Sequence, residues 1–374
     1  MIRLHAVIAL MLFCYAADGL EDPERILQQA IASHQAGQVE RAISQYRAYL
    51  KLRPDAVDAR SNLGAALASG GRYREAIIEY REALKRRPRD PRIRLNLSLA
   101  QYKLGRISDA AASLSTLHAD QPADRQILLL LADCWLRQGE DRKVIDLVTP
   151  VAEQDRNDMA IAYLLGTALL RDKQIDRGQK IIDRILSHGD SAEAYLLLGT
   201  AKLSAREYEA AIADFEKAAR LNPHLPEVYS YLGRAHLQTG DTAAARLGFQ
   251  KELEENPNDF ESNLNLAALL KQDQDYEGAF KLLDRALRVR PGEMRARFQL
   301  AAVNFAAGRL DEALAGLQAI VKQAPQFVEA HISLAAVYYR LQRKADGDRE
   351  KALSRKLTLQ QQGQQAGESR EKIE

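Results

Sequence analysis

Residues 226–259 read PEVYSYLGRAHLQTGDTAAARLGFQKELEENPND, and residues 57–90 read VDARSNLGAALASGGRYREAIIEYREALKRRPRD. Superimposed, the stretches share a Leu-Gly pair (Leu232-Gly233, Leu63-Gly64), a glycine (Gly240, Gly71), an alanine (Ala245, Ala76), an aromatic ring (Phe249, Tyr80) and a proline (Pro257, Pro88). The prolines carry the comparison along the chain. They stand at 54, 88 and 122 and again at 223, 257, 291 and 325, a step of 34 within each set, with Arg156 and Asp190 in the two slots between and one step shortened to 33. A fixed period of this length is the mark of a solenoid.

The rest of the pattern keeps the same phase. Leucine followed by a small residue recurs at Leu97-Ser98, Leu131-Ala132, Leu165-Gly166, Leu198-Gly199, Leu266-Ala267, Leu300-Ala301 and Leu334-Ala335, and further alanines fall at 110, 211, 279 and 313. Small residues on facing helices permit close approach. Glycines such as Gly71 and Gly105 can end a first helix in the left-handed conformation, and the prolines forbid continuation of the second. Of the whole chain 46% is hydrophobic but only 6% aromatic, which suits helices touching through Ala and Gly better than sheets.

Tyr229-x-x-Leu232-Gly233-x-x-His236, Ala245-x-x-x-Phe249 and Pro257 together resemble the tetratricopeptide repeat family, and the likeness covers about residues 23–359. It implies an all-α fold, a right-handed superhelical solenoid of about nine to ten helix-turn-helix repeats. The register gives repeats at 23–56, 57–90, 91–124, 125–158, 159–191, 192–225, 226–259, 260–293 and 294–327. Residues 328–359 form a last pair, whose polar second helix suits a cap with no neighbour to cover it. Repeats four and five depart from the pattern, with Val144 and Gly178 where alanine is expected and Pro150 inside a second helix. Pro150 is expected to kink or break that helix, and the array to change pitch near 145–190, as either a tolerated irregularity or a functional hinge.

Residues 1–17 combine Arg3, an apolar run from Ala6 to Phe13, and Cys14 and Ala16 at positions suited to cleavage. This is the pattern of a secretory signal peptide, too short to span a bilayer. The expected product is an exported bacterial protein, periplasmic or secreted; if the run is no signal, it is cytoplasmic. Residues 18–22 serve as a linker. The tail 360–374, rich in Gln and charge, is expected to be disordered.

The sequence carries no enzyme motif. Histidines at 34, 118, 188, 224, 236 and 331 form no i, i+4 pair for a metal, and glycines recur singly rather than as a phosphate-cradling loop. Two cysteines cannot build a four-thiolate zinc site. No catalytic residue, metal or small-molecule cofactor is expected.

The resemblance implies that first helices line the concave face and that the sixth position of each repeat points into the groove. Asn62, Asn96, Asn265 and Gln299 stand there and look like the asparagine ladder of long tetratricopeptide superhelices; a primary amide can pair with the backbone of an extended peptide. Leu130, Leu164, Leu197 and Tyr231 interrupt the ladder, with Tyr163 alongside, suggesting an apolar middle. The competing readings are solvated helix residues for the asparagines and core packing, through a one-position shift of register, for the leucines. The position before the ladder holds no lysine, so the carboxylate clamp of chaperone adaptors is not carried over.

Formal charge nearly cancels, 53 Lys and Arg against 51 Asp and Glu, which excludes a polyanion binder built on bulk charge. Residues 51–106, however, hold 14 basic and 6 acidic residues, a net of +8, including Lys85, Arg86, Arg87, Arg89, Arg92 and Arg94. This patch can receive an acidic peptide or an anionic membrane surface, or it is a solvated helix surface. Nucleic acid is not expected, since no aromatics interleave.

The function expected is a non-enzymatic scaffold holding an extended segment of a partner protein in the concave groove. The alternative is the non-catalytic repeat subunit of a glycosyltransferase or envelope-biogenesis complex whose catalysis lies on another chain.

Overall fold

The computed structural model describes residues 22–371, so the predicted signal peptide lies outside the described residues. Among the described residues the chain forms twenty α-helices and no strand. Most are 12–14 residues long and pair as antiparallel hairpins, the first being α1 (Pro23–Gln35) and α2 (Val39–Leu52). The chain divides into two compact units, one ending at Cys134 and the other starting at Trp135, a boundary inside the helix Arg125–Gln138. Among the described residues, no helix is long and apolar enough to cross a membrane.

Two turns per repeat explain the sequence period. Within a hairpin, a residue just past the end of the first helix takes positive φ, as at Gly71 (φ 73°), two positions after Ser69, while the Arg72 N–H donates to the Leu67 carbonyl at 2.9 Å. This is a Schellman closure, for which glycine is the natural residue. The same slot falls at 37, 71, 105, 139, 173, 206, 240, 274, 308 and 342; Lys173, Arg206, Gln274 and Gln342 hold it in the left-handed conformation without glycine. Between repeats, proline does more than stop a helix. Pro54 follows Arg53, whose carbonyl accepts from the Ala56 N–H at 3.2 Å, and Pro88 is bracketed by Arg87 and Asp90 in the same way. Proline therefore occupies the second position of a four-residue turn, where its fixed φ is preorganised. Arg156 fills that position in one repeat, and the turn still forms, Asp158 N–H to Asp155 O at 3.4 Å.

The small-to-large pairing inferred for each repeat is visible in the packing. Gly64 faces the ring of Tyr80, Gly199 that of Phe215 and Gly233 that of Phe249; a Cβ at these glycines would lie 2.7, 2.5 and 2.6 Å from the nearest ring carbon. Phe215 and Phe249 are fully buried. In the first unit one core of Ile26, Ile43, Tyr46, Leu63, Leu67, Tyr80 and Ile93 runs through the hairpins. In the second unit the shortened period has a definite location: Ile175–Leu186 has 12 residues, where most second helices have 14.

Two expectations need correction. Pro150 does not break its helix, which runs from Asp141 through Gln154. Pro150 and Asp146, whose carbonyl loses its helical donor, are both exposed, so water can satisfy the orphaned oxygen. The last helix, Lys344–Glu371, continues through residues 360–371, placed by the sequence reading in a disordered tail. Gln, Ala, Glu and Arg are good helix formers, and adding residues to a helix already nucleated by packing is cheap. Its start is tied down by His331, which is buried between Glu350 Oε2 at 2.6 Å and the Pro325 carbonyl at 3.0 Å.

Candidate interaction surface

In the first unit, Asn62 and Asn96 occupy equivalent positions of consecutive first helices, Val57–Ser69 and Pro91–Lys103. Both are half-buried, and neither makes a hydrogen bond among the described residues. Two amides one repeat apart are thus available for an outside partner. Leu130, one repeat on, is half-buried.

The basic patch of this unit is largely spent within the chain. Arg87 makes a two-point contact with Asp58 at 2.8 and 3.0 Å, and Arg92 lies 3.8 Å from the same carboxylate. Arg86 pairs with Asp55, Arg94 with Asp120 at 3.0 Å and Lys85 with Glu82 at 2.6 Å. Of the six patch residues, Arg89 alone has no ion pair among the described residues. The pairs Arg86–Asp55 and Arg92–Asp58 join successive repeats, while Arg87–Asp58 closes one hairpin, a use of charge that the net count conceals.

In the second unit the expected apolar middle of the groove is not found. Leu164 and Leu197 are buried, and Leu197 packs where Gly166 leaves room; a Cβ on Gly166 would stand 2.8 Å from the leucine Cδ1. These leucines seal the seam between repeats five and six. Tyr231 is also buried, stacked on Phe215 with 5.4 Å between ring centroids. Tyr163 is half-buried against the adjoining cores. Asn265 turns back on its own helix, donating to the Glu261 carbonyl at 2.7 Å, and Gln299 has a buried Oε1 with no partner among the described residues.

A polar cleft of about 620 Å³ lies in this unit instead. Arg171, last residue of the helix Met159–Arg171, pairs with Glu227 and donates from Nε to the Tyr231 hydroxyl at 3.2 Å and from Nη1 to the Leu136 carbonyl at 3.0 Å. Arg290 donates from Nε to the Arg137 carbonyl at 2.5 Å and lies 4.2 Å over the Phe260 ring. Arg137 reaches Asn256 Oδ1 at 3.1 Å. Two arginines thus cap the C-terminal carbonyls of one helix, Arg171 from the next repeat and Arg290 from four repeats on, where the helix dipole favours cations. The Arg290–Arg137 bond joins residues 153 positions apart, whereas a regular solenoid contacts only its neighbours.

The charges around the cleft perturb one another. Burial opposes ionisation of Glu227, but Arg171 outweighs it and holds the carboxyl below its ordinary range. Burial pushes Asp141 up, against the attraction of Arg171. Behind the cleft, Glu252 accepts the Glu227 N–H at 2.9 Å and is almost wholly buried; burial, then Asp259, pushes its carboxyl up to about 8. Burial likewise raises Asp259, which accepts from the Ser230 hydroxyl at 2.9 Å and the Ser262 N–H at 2.7 Å. Burial lowers Arg290, whose charge Glu261 supports and Arg171 opposes.

The sequence did hold one signal for this cleft. Lys103, Arg137 and Arg171 are spaced by 34, a basic residue two positions before the left-handed turn in three successive repeats. Nothing in the repeat pattern pointed to Arg290 or Glu227, because their partners come from repeats far away in sequence.

One family model described as tetratricopeptide repeat matches residues 27–91, 163–226 and 196–260, and a second with the same description matches 67–134 and 270–338. No curated protein matches the sequence. Among solved structures, the crystal structure of the APC/C hetero-tetramer Cut9–Hcn1 aligns over 95% of this chain and 92% of its own, with 14% identity and a TM-score of 0.54. MamA from Desulfovibrio magneticus RS-1 aligns over 46% of this chain and 98% of its own, with 23% identity and a TM-score of 0.43.

Proposed function

Because the chain belongs to the tetratricopeptide repeat family, we propose that it is a non-enzymatic interaction scaffold holding an extended segment of a partner protein against its first helices. Proteins of this family bind other proteins or peptides. The observation that carries the reading is the pair Asn62 and Asn96, two unpartnered, half-buried amides at equivalent positions of consecutive repeats. Each offers a donor and an acceptor, so together they can hold a peptide backbone with little regard to its side chains. The ion-paired state of Arg86, Arg87, Arg92 and Arg94 leaves the basic patch a minor part in this reading, with Arg89 its remaining free cation. The scaffold acts after export to the bacterial periplasm or envelope, a reading supported by the composition of residues 1–17.

The test is an immobilised array of unrelated extended peptides probed with the full chain. The wild type is expected to bind many of them weakly, and Asn62→Ala/Asn96→Ala to lose most of that signal while keeping its helical circular dichroism. An unchanged array would remove the amides from the account. Sequencing the amino terminus of the mature protein tests export, which an intact Met1 would refute.

A further inference from the structure

The cleft of the second unit offers more than charge. Of its cationic side chains, Lys173 and Arg234 have no ion pair among the described residues; Arg234 lies 5.0 Å over the Tyr231 ring. Arg171 and Arg290, by contrast, are held by Glu227, Glu261 and helix carbonyls. Two further groups lack partners: the buried Asp141 Oδ1 has no donor, and the half-buried Asn258 amide makes no hydrogen bond among the described residues. Leu170, Leu203 and Ile175 add apolar wall, Ile175 being 38% exposed.

We propose that this cleft docks an acidic polypeptide segment whose carboxylates meet Lys173 and Arg234, whose backbone pairs with the Asn258 amide, and whose apolar side chains cover Ile175 and its neighbours. The class of ligand follows from the mixture. A bare oxyanion such as phosphate would satisfy the cations but would leave the Asn258 carbonyl oxygen, which calls for an N–H, unmet and Ile175 uncovered. A peptide supplies N–H groups, carboxylates and apolar side chains from one chain. The volume, about 620 Å³, lies within the range of clefts that enclose small ligands, so a short stretch fills it. A partner of opposite charge is also the one that a cleft with unpaired cations recruits fastest.

This inference deepens the scaffold reading and rests on it, but it uses residues of the second unit only. The experiment is fluorescence anisotropy of the full chain with a labelled peptide of about eight residues alternating Glu and Leu, beside Gln–Leu and Lys–Leu versions and with inorganic phosphate titrated by calorimetry. The Glu–Leu peptide is expected to bind at least about tenfold more tightly than the other two, and more weakly as salt rises. Lys173→Glu/Arg234→Glu is expected to cost a further tenfold or more with unchanged circular dichroism, since neither side chain carries an internal ion pair, and Asn258→Ala to weaken all peptides alike. Equal binding of the Gln–Leu peptide, full affinity in the charge-reversed variant, no binding of the Glu–Leu peptide, or phosphate held where the Glu–Leu peptide is not would each overturn the proposal. The Asn62→Ala/Asn96→Ala array result stands apart from all four, so failure here leaves the scaffold reading to its own test.

Discussion

Arg206 and Gln274 hold backbone positions that glycine holds in other repeats, at φ of 66° and 64°. The left-handed conformation costs an L-residue roughly 1–2 kcal/mol, while glycine gives back roughly 0.5–1 kcal/mol through greater freedom of the unfolded chain. Arg206→Gly and Gln274→Gly should therefore each stabilise the second unit by about 0.5–1 kcal/mol, close to additively, because the sites are 68 positions apart in sequence and both side chains are exposed. The hydrogen bonds that close these turns, Glu207 N–H to Lys202 O and Asp275 N–H to Leu270 O, both at 2.9 Å, are main-chain and survive the change. The double variant is expected to melt several degrees higher, taking roughly 2–4 °C per kcal/mol for a domain of this size. The reciprocal change isolates the cause. A Cβ on Gly240, at φ 85°, would meet nothing within 4 Å, so Gly240→Ala can lose stability only through its backbone, by about 1 kcal/mol. An unchanged or lowered melting temperature for Arg206→Gly/Gln274→Gly would refute the reasoning.

Gly199→Ala is expected to destabilise by about 1–3 kcal/mol, because its Cβ would stand 2.5 Å from a Phe215 ring with no room to withdraw, and Phe215→Leu should restore part of the loss; chemical denaturation of the four-member cycle measures this coupling. Glu252 binds a proton more tightly folded than unfolded, so its contribution to stability is fully present at acid pH and is lost as pH rises from about 4.5 toward about 8. The limit is about 1.4 kcal/mol per pH unit, and Glu252→Gln, which can still accept the Glu227 N–H, should flatten the profile; an unaltered profile of urea midpoints would count against the buried-acid account.

The hairpins, their turns and the Gly-to-ring contacts were legible in the sequence because each is set by residues within one repeat of another. Gly233 and Phe249 are sixteen positions apart, and the 34-residue step repeats their relation until it cannot be missed. The inner surface was read less well. The sixth position carries Asn96 at a half-exposed site in one repeat and buried Leu197 in another, since Gly166 in the preceding repeat opens a hole for the leucine. Burial at that slot depends on the neighbouring repeat, which a single-repeat register does not consult. The charge run was read without its internal partners for a related reason: Arg86 and Arg87 meet Asp55 and Asp58 about thirty positions earlier, so the charges that pair with them are spread along the sequence. The cleft lay furthest from view, since Arg137 and Arg290 are brought together by the accumulated rotation of four repeats, which no local pattern encodes.

That long-range contact changes how the second unit should lose its structure. In a solenoid with nearest-neighbour interfaces alone, repeats fray from the ends and neighbouring repeats open with graded free energies. Here Arg171 and Arg290 tie the end of the helix Arg125–Gln138 to residues of repeats five and eight, and Arg171 pairs with Glu227 of repeat seven. Opening any of these repeats leaves a half-buried charged group without its partner, at roughly 1–3 kcal/mol. Residues 135–290 should then exchange their amide hydrogens as one cooperative block, with Met294–Ala306 and the helices beyond it opening separately and sooner. Arg171→Met, which keeps the length of the side chain and removes its charge, should split the block and lower protection in the helices Met159–Arg171 and Val228–Thr239 together. Loss of protection confined to the helix carrying the substitution would show that the cross-repeat bonds add nothing to cooperativity.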